Sequence, residues 1–443
     1  MENKLAQNFT TASLLKFTAP TTIMLVFVSM YQMVDGVFVS NFVGENALSA
    51  INIVYPMPSI VIAIAIMLAT GGSAIVAKNM GEGKIEEAKQ NFSMVIFTGV
   101  SIGILCSIVG IIFIEPIIRV LGATDILFQY CYDYLYIIIL FCPIVVLQML
   151  FQTFLVTAGK PHLGLTLTII GGFLNIFLDY LFIVKLQMGV RGAAIGTVMG
   201  YAIPAIIGAI YFLGNRKGTL YLVKPKLRLR TLAQICLNGS SEMVTNLAVA
   251  ITTLLFNKIM LKYLGENGVA AITIVLYAEF LLTSIFMGFS SGVAPIFSYN
   301  YGNENYIEIK KLFKMSMRLI GIFSILMLVM AILFAKPIIS VFISKGSVIF
   351  DIAYHGFLLF SISYLFTGVN IFASSMFTAF SNGRISAIIS FLRTFVFLIA
   401  SLIILPLIIG SDGIWLSVPL AEILSLGVSI MYIISNRYEY HYY

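Results

Sequence analysis

VGENALSAINIV at residues 43–54 returns as LGENGVAAITIV at residues 264–275, a shift of 221 residues in a chain of 443. The same offset carries Gly71 to Gly292, Asn79 to Asn300, Gly81 to Gly302, Phe151 to Phe372, Thr157 to Thr378, Gly189 to Gly410 and Gly192 to Gly413. One unbroken register over that length means two copies of one unit. Whatever fold the first half adopts, the second is expected to repeat it.

Composition says where that unit resides. Hydrophobic residues make up 60% of the chain and charged residues 10%, with a mean hydropathy of +1.02. A water-soluble globule of this size would have a largely apolar surface, so the chain is read as an integral membrane protein. A bilayer core asks for about 20 apolar residues per helical span. Twelve such segments are expected, near 14–40, 48–77, 91–113, 132–157, 162–184, 190–213, 232–262, 268–297, 315–335, 353–380, 385–408 and 413–434, some merging or bending at Pro and Gly.

Six spans per half is an even number, so both halves enter the membrane from the same side. The expected fold class is therefore an all-α membrane protein of twelve transmembrane helices in two parallel six-helix pseudo-symmetric lobes, with the pseudo-two-fold axis along the membrane normal. The lobes are placed at 1–215 and 232–443, joined by a basic linker at 216–231. Two bundles facing one another form a cleft, and rocking one against the other exposes it to each side in turn. This is secondary-transporter architecture.

Most of the 26 lysines and arginines fall at the termini, in the even-numbered loops or at the helix ends beside them, notably RKGTLYLVKPKLRLR at 216–230 and KKLFKMSMR at 310–318. Positive loops stay on the cytoplasmic side, so both termini are expected there, in the inner (cytoplasmic) membrane. The net charge of +7 is read as topology and contact with anionic lipid, not nucleic-acid binding. The start, MENKLAQNFTTASLLKF, has no short apolar core with a small-residue cleavage site, so no signal peptide is expected. The four cysteines have no paired spacing that suggests a disulfide or metal framework.

Acids inside apolar runs are the strongest local signal, because a charge near the bilayer centre costs at least ~2.5–3.5 kcal/mol. Four stand out: Asp35, Asp179, Glu242 and Glu279. At ~1.5 Å per residue, Asp35, Asp179 and Thr197 fall in the same outer layer of the first lobe. Asn175 lies one turn from Asp179 on the same face. Two facing carboxylates in a low-dielectric pocket cannot both ionise cheaply, so a proton or a sodium ion can settle the charge. That is the chemistry of a cation-coupling site, and Asp35, Asn175 and Asp179 could hold Na+.

Shifted by 221, Asp35, Asn175, Asp179 and Thr197 become Phe256, Val396, Ala400 and Val418. Coupling is therefore expected in the first lobe alone. Glu279, near the midplane with Tyr277 beside it, and Glu242, in the inner half of the seventh span, are candidates to bind an amphipathic cation by charge and aromatic contact. Pro20, on the helix that carries Asp35, is a candidate hinge.

Together these segments resemble the multidrug and toxic compound extrusion (MATE) transporters, particularly their MepA-like and DinF-like bacterial members. The stretches that carry the resemblance are VDGVFVSNFVGENALSA (34–50), GGSAIVAKNMGEGKIEEA (71–88), TAGKPHLGL (157–165), NIFLDYLFIV (175–184) and MGVRGAAIGTV (188–198). The resemblance spans essentially the whole chain. It implies multidrug efflux, the export of organic cations and amphipathic compounds by antiport against H+ or Na+, a xenobiotic-export role of the kind that gives antibiotic resistance. It also implies a first-lobe cation site at Asp35, Asn175, Asp179 and Thr197, and a bending role for Pro20. Some members bind cations at second-lobe acids in helices 7 and 10; here helix 10 has no acid in its interior.

Two other readings compete. A flippase for a lipid-linked precursor would need several basic residues in the cavity, and only Lys258 and Arg393 depart from the loops. A membrane-embedded enzyme would need a catalytic constellation, and the chain has no HExxH, no GxSxG in a suitable context and no complete P-loop. No enzyme activity and no cofactor beyond the coupling ion are expected. The expected partners are small organic cations and membrane lipids, with no nucleic acid, and the expected state is a monomer.

Overall fold

A computed structural model describes residues 4–443, and every regular element among them is helical. The spans are α1 (Thr11–Phe42), α2 (Pro56–Gly81), α3 (Ile85–Ile112), α4 (Asp125–Leu140 with Cys142–Thr157), α5 (Pro161–Asp179, continued by a π-helical turn Tyr180–Lys185) and α6 (Gly189–Gly214). A 74-residue helical stretch, Leu229–Gly302, follows, far longer than a bilayer requires, and it is two helices that meet at a kink where Gly265 is non-helical. It supplies α7 (229–264) and α8 (266–302). The chain continues through α9 (Tyr306–Ser340), α10 (Val348–Ser361 with Tyr364–Ala379), α11 (Gly383–Phe391, a π turn Leu392–Phe397, then Leu398–Ile409) and α12 (Ser411–Ser435).

The repeat explains both where the halves agree and where they differ. α4 and α10 are bent by 55° and 54°, at positions related by the offset. The two GEN copies each place a glycine at positive φ, Gly44 at +112° and Gly265 at +63°. After that, the first copy forms a separate short helix, Glu45–Val54, that ends where Pro56 opens α2. Proline has no N–H to continue the ladder and clashes with the preceding turn. The second copy has Tyr277 and Glu279 where the first has Pro56 and Pro58, so its helix runs on into α8. The expected second span at 48–77 is thus two elements.

Both termini lie on one side of the molecule. Thr10 and Ser13 form a reciprocal cap at the start of α1, and the Phe9 N–H donates to Glu308 Oε1 at 2.7 Å, tying the amino terminus to the head of α9. At the other end, Tyr440 stacks on Phe380 (4.7 Å, 3°) and its hydroxyl accepts from Asn382 Nδ2 at 2.8 Å. The basic connection after α6 is strapped to α3: the Val223 N–H donates to Ser93 Oγ at 2.9 Å, and Arg228 pairs with Glu87.

On that same side the lobes are sealed by backbone-to-backbone contact with pseudo-two-fold symmetry. Gly81 of α2 abuts the Tyr299 carbonyl of α8, while Gly302 of α8 abuts the Lys78 carbonyl of α2; Gly81 and Gly302, and Lys78 and Tyr299, are offset partners. Deeper in, Gly71 meets Ile235 and Gly239 of α7, while Gly292 meets Thr18 of α1. Small residues let helices approach this closely in lipid. On the opposite side, Tyr55 of the first lobe and Tyr277 of the second are 54% and 44% exposed and within electrostatic reach of each other. The cleft between the lobes therefore opens away from the termini. The outer wall is apolar, with Phe97, Ile112, Ile210, Leu333 and Leu407 all exposed.

Candidate functional site

α1, α5 and α6 converge in the first lobe because glycines remove the side chains that would hold them apart. Gly172 lies against Phe27 and Tyr31 of α1, Gly171 against the Gly200 carbonyl, and Gly196 against the carboxylate of Asp179. The result is a small cavity lined by residues that include Asp35, Asn175, Thr197, Tyr31, Tyr201 and Gln148. Asp179 is fully buried, its carboxylate within electrostatic reach of Asp35. Two carboxylates this close repel one another in a low-dielectric interior, and a proton or a cation relieves the repulsion.

The same conclusion follows from satisfaction of polar atoms. Asp35 Oδ1, both Asp179 carboxylate oxygens and both amide atoms of Asn175 are buried without a protein partner. Orphaned polar atoms in a low-dielectric interior are costly. The Thr197 hydroxyl donates to the Ala193 carbonyl at 3.0 Å, leaving its lone pairs free. Asp35, Asn175 and Thr197 thus line the cavity with oxygens, with Asp179 buried within electrostatic reach of Asp35, and oxygen is the donor type a hard cation prefers. The cavity measures about 30 Å³. That accommodates a water or a bare ion, whereas a drug-sized ligand needs ~300 Å³ or more.

The tyrosines around this site were not picked out from sequence. Tyr31 and Tyr201 line the cavity near one another, and Tyr134 of α4 lies within electrostatic reach of both aspartates. Among 22 tyrosines, nothing local marks these three. Their role comes from helix packing.

In the second lobe the expected pairing of Glu279 with Tyr277 is corrected. Two residues apart on a helix, they point in nearly opposite directions; Tyr277 stacks on Phe342 (6.0 Å, 7°). Glu279 instead lies near Tyr364, Glu422 and Arg393, and Glu242 also lies within reach of Arg393. Arg393 and Glu422 form an ion pair at 2.8 Å, and Asn370 Nδ2 donates to the other Glu422 oxygen at 2.7 Å. Glu422 was overlooked although it carries the same signature as Asp179, an acid in an apolar run. Pro20 sits in the interior of α1, which passes through it without a break.

The π turns refine the comparison of the lobes. Each inserts an extra residue, but at different heights, Tyr180–Lys185 in α5 and Leu392–Phe397 in α11. Between those heights the offset slips by one, so Asp179 corresponds in position to Ala400 or Ser401 of the second lobe. Both are uncharged.

Comparison with known proteins adds independent findings. The sequence model of the MatE family matches twice, at residues 20–181 and 243–404. The multidrug export protein MepA of Staphylococcus aureus (strain bovine RF122 / ET3-1) is 24% identical over 436 residues, covering 96% of this chain and 94% of that protein. A solved structure described as the outward-facing conformation of a multidrug resistance MATE family transporter of the MOP superfamily superposes with a TM-score of 0.91 at 20% identity, covering 97% of this chain and 96% of that one. The MATE multidrug transporter DinF-BH, solved as a complex, gives 0.90 at 24% identity, with 100% and 98% covered. At these identities the structural likeness establishes the fold.

Proposed function

The chain belongs to the MatE family, and from that premise we propose that it is a multidrug efflux transporter, exporting organic cations and amphipathic compounds by antiport against H+ or Na+. The observation that carries the coupling half of this reading is the first-lobe cavity lined by Asp35 and Asn175, together with Asp35 Oδ1, both Asp179 carboxylate oxygens and the Asn175 amide atoms that are buried there without a hydrogen-bond partner. An ion arriving from the open side of the cleft neutralises the pair and allows the three helices to pack differently. Leaving it empty keeps the repulsion. A site with two such packings can bias which side of the membrane the cleft faces.

The ion cavity is too small for the cargo, so the organic cation belongs in the cleft. Glu279 and Glu242 of the second lobe supply its counter-charge. Arg393, neutralised by Glu422, leaves that wall acidic, which suits a cation better than the pyrophosphate of a lipid-linked precursor. Pro20 lies on the sealed half of α1, with Asp35 on the open half, and acts as the hinge that joins ion occupancy to helix shape. The side that carries the termini and most of the basic loops is cytoplasmic, the protein sits in the inner membrane, and it works as a monomer.

The test is efflux of a fluorescent organic cation from vesicles under imposed pH and sodium gradients, applied separately. Asp35→Asn and Asp179→Asn are expected to lose the gradient-driven component, and the gradient that drives the native protein names the ion. Normal pumping by both variants would refute first-lobe coupling.

A further inference from the structure

The offset that relates the lobes places Arg393 opposite Gly171 or Gly172, and Glu422 opposite Tyr201. In the first lobe these three positions line the ion cavity. In the second lobe the equivalent space is bridged by the guanidinium of Arg393, whose Nε and Nη2 both donate to Glu422 Oε1 at 2.8 Å. The other oxygen accepts from Asn370 Nδ2, and Asn370 Oδ1 accepts from Ser429 Oγ at 2.8 Å. Every polar atom of this acid is committed, whereas the first-lobe acids have orphaned oxygens.

We propose that Arg393 is a tethered cation, holding in the second lobe the place that the exchangeable coupling ion takes in the first. The inference rests on the reading of the first lobe as the coupling lobe and deepens it. A covalently attached guanidinium cannot cross the membrane, so the second lobe contributes no ion to the transport cycle, and its acid stays neutralised in every state. Glycine at the first-lobe position carries no charge of its own to the cavity it lines, so the charge there is left to a mobile ion. The nearby Glu279 and Glu242 are not consumed by the pair and remain available to cargo.

The experiment uses the full chain, purified in detergent, with Asp35→Asn and Asp179→Asn silencing the first-lobe acids. Its melting temperature is followed as guanidinium chloride or, separately, NaCl is titrated in, and variants are compared at equal salt. Removing the tether should create a binding site for a free cation. Arg393→Ala and Arg393→Gln are each expected to gain a saturable stabilisation of about 5 °C relative to the protein that keeps Arg393. Adding Glu422→Gln should abolish the gain, and Arg393→Lys, which keeps a tethered charge, should show none. Arg393→Gln retains much of the side chain's volume, so it reports even where the alanine variant does not fold. No gain in a folded Arg393 variant, or a gain that survives Glu422→Gln, overturns the proposal. The first-lobe reading is judged separately, by efflux from Asp35→Asn and Asp179→Asn proteins that keep Arg393.

Discussion

At the scale of single residues, the molecule treats its intramembrane acids in two ways. Asp35 and Asp179 are buried against each other with unpaired oxygens, while Glu422 is held by a guanidinium and an amide. Sequence made Asp179 conspicuous, because NIFLDYLFIV sets it in an apolar run with no basic residue to pair with. It could not say whether the partner would be an ion or a side chain, since that depends on which helix packs against the acid. Gly196 tests the geometry. A methyl group there would collide with Asp179 Oδ1, pushing the carboxylate off its rotamer at a cost of about 0.5–1.5 kcal/mol. Gly196→Ala is therefore expected to weaken the coupling ion's half-saturation by roughly 2- to 10-fold, measured as the gradient dependence of efflux, with the affinity for the organic cation left as it is.

At the scale of elements, the two copies show how little sequence is needed to change a helix. Pro56 and Pro58 end one element and begin another, whereas Tyr277 and Glu279 at the same places let the helix continue. Both copies keep the glycine, and Gly265, at φ +63° and ψ −157°, occupies a region that is nearly closed to other residues and costs of order 1–3 kcal/mol for them. Gly265→Ala should lower stability by that amount in thermal unfolding of the detergent-solubilised protein. Gly427→Ala, in a helical setting with no atom within 4 Å of the new methyl, should leave it unchanged or raise it; equal effects at both sites would dismiss the backbone argument. The π turns in α5 and α11 had no legible cause in sequence, yet they decide which second-lobe residue corresponds to Asp179.

At the scale of the whole molecule, the determining feature is that the lobes meet on the side of the termini and part on the other. The seal includes four glycines arranged as two offset pairs, Gly71 with Gly292 and Gly81 with Gly302, each against a backbone of the opposite lobe, and Gly239 and Gly288 make the same kind of contact. A larger residue at Gly81 would collide with the Tyr299 carbonyl, and overpacking of this kind costs about 1–3 kcal/mol, enough for a 5- to 150-fold change in a two-state equilibrium. Gly81→Val is expected to shift the protein away from the sealed state. The readout is thiol labelling, in a protein lacking its natural cysteines, of a cysteine replacing Thr18, which is 1% exposed in the sealed state. Labelling as slow as in the protein with Gly81 would mean that the glycine contact does not set the equilibrium.

The sequence by itself determined the environment, the number of spans and their duplication, because each of these is written in local hydropathy and in an offset that needs no third dimension. It also marked Asp35, Asn175, Asp179 and Thr197, since polar groups are rare and costly in apolar helices. Only the tertiary structure decided that Asp35, Asn175 and Thr197 line one cavity with Asp179 buried near them, that Tyr277 turns away from Glu279, and that Arg393 pairs with Glu422. The physical reason is that a buried charge is defined by what stands opposite it, and helices far apart in the chain supply that partner only when they pack.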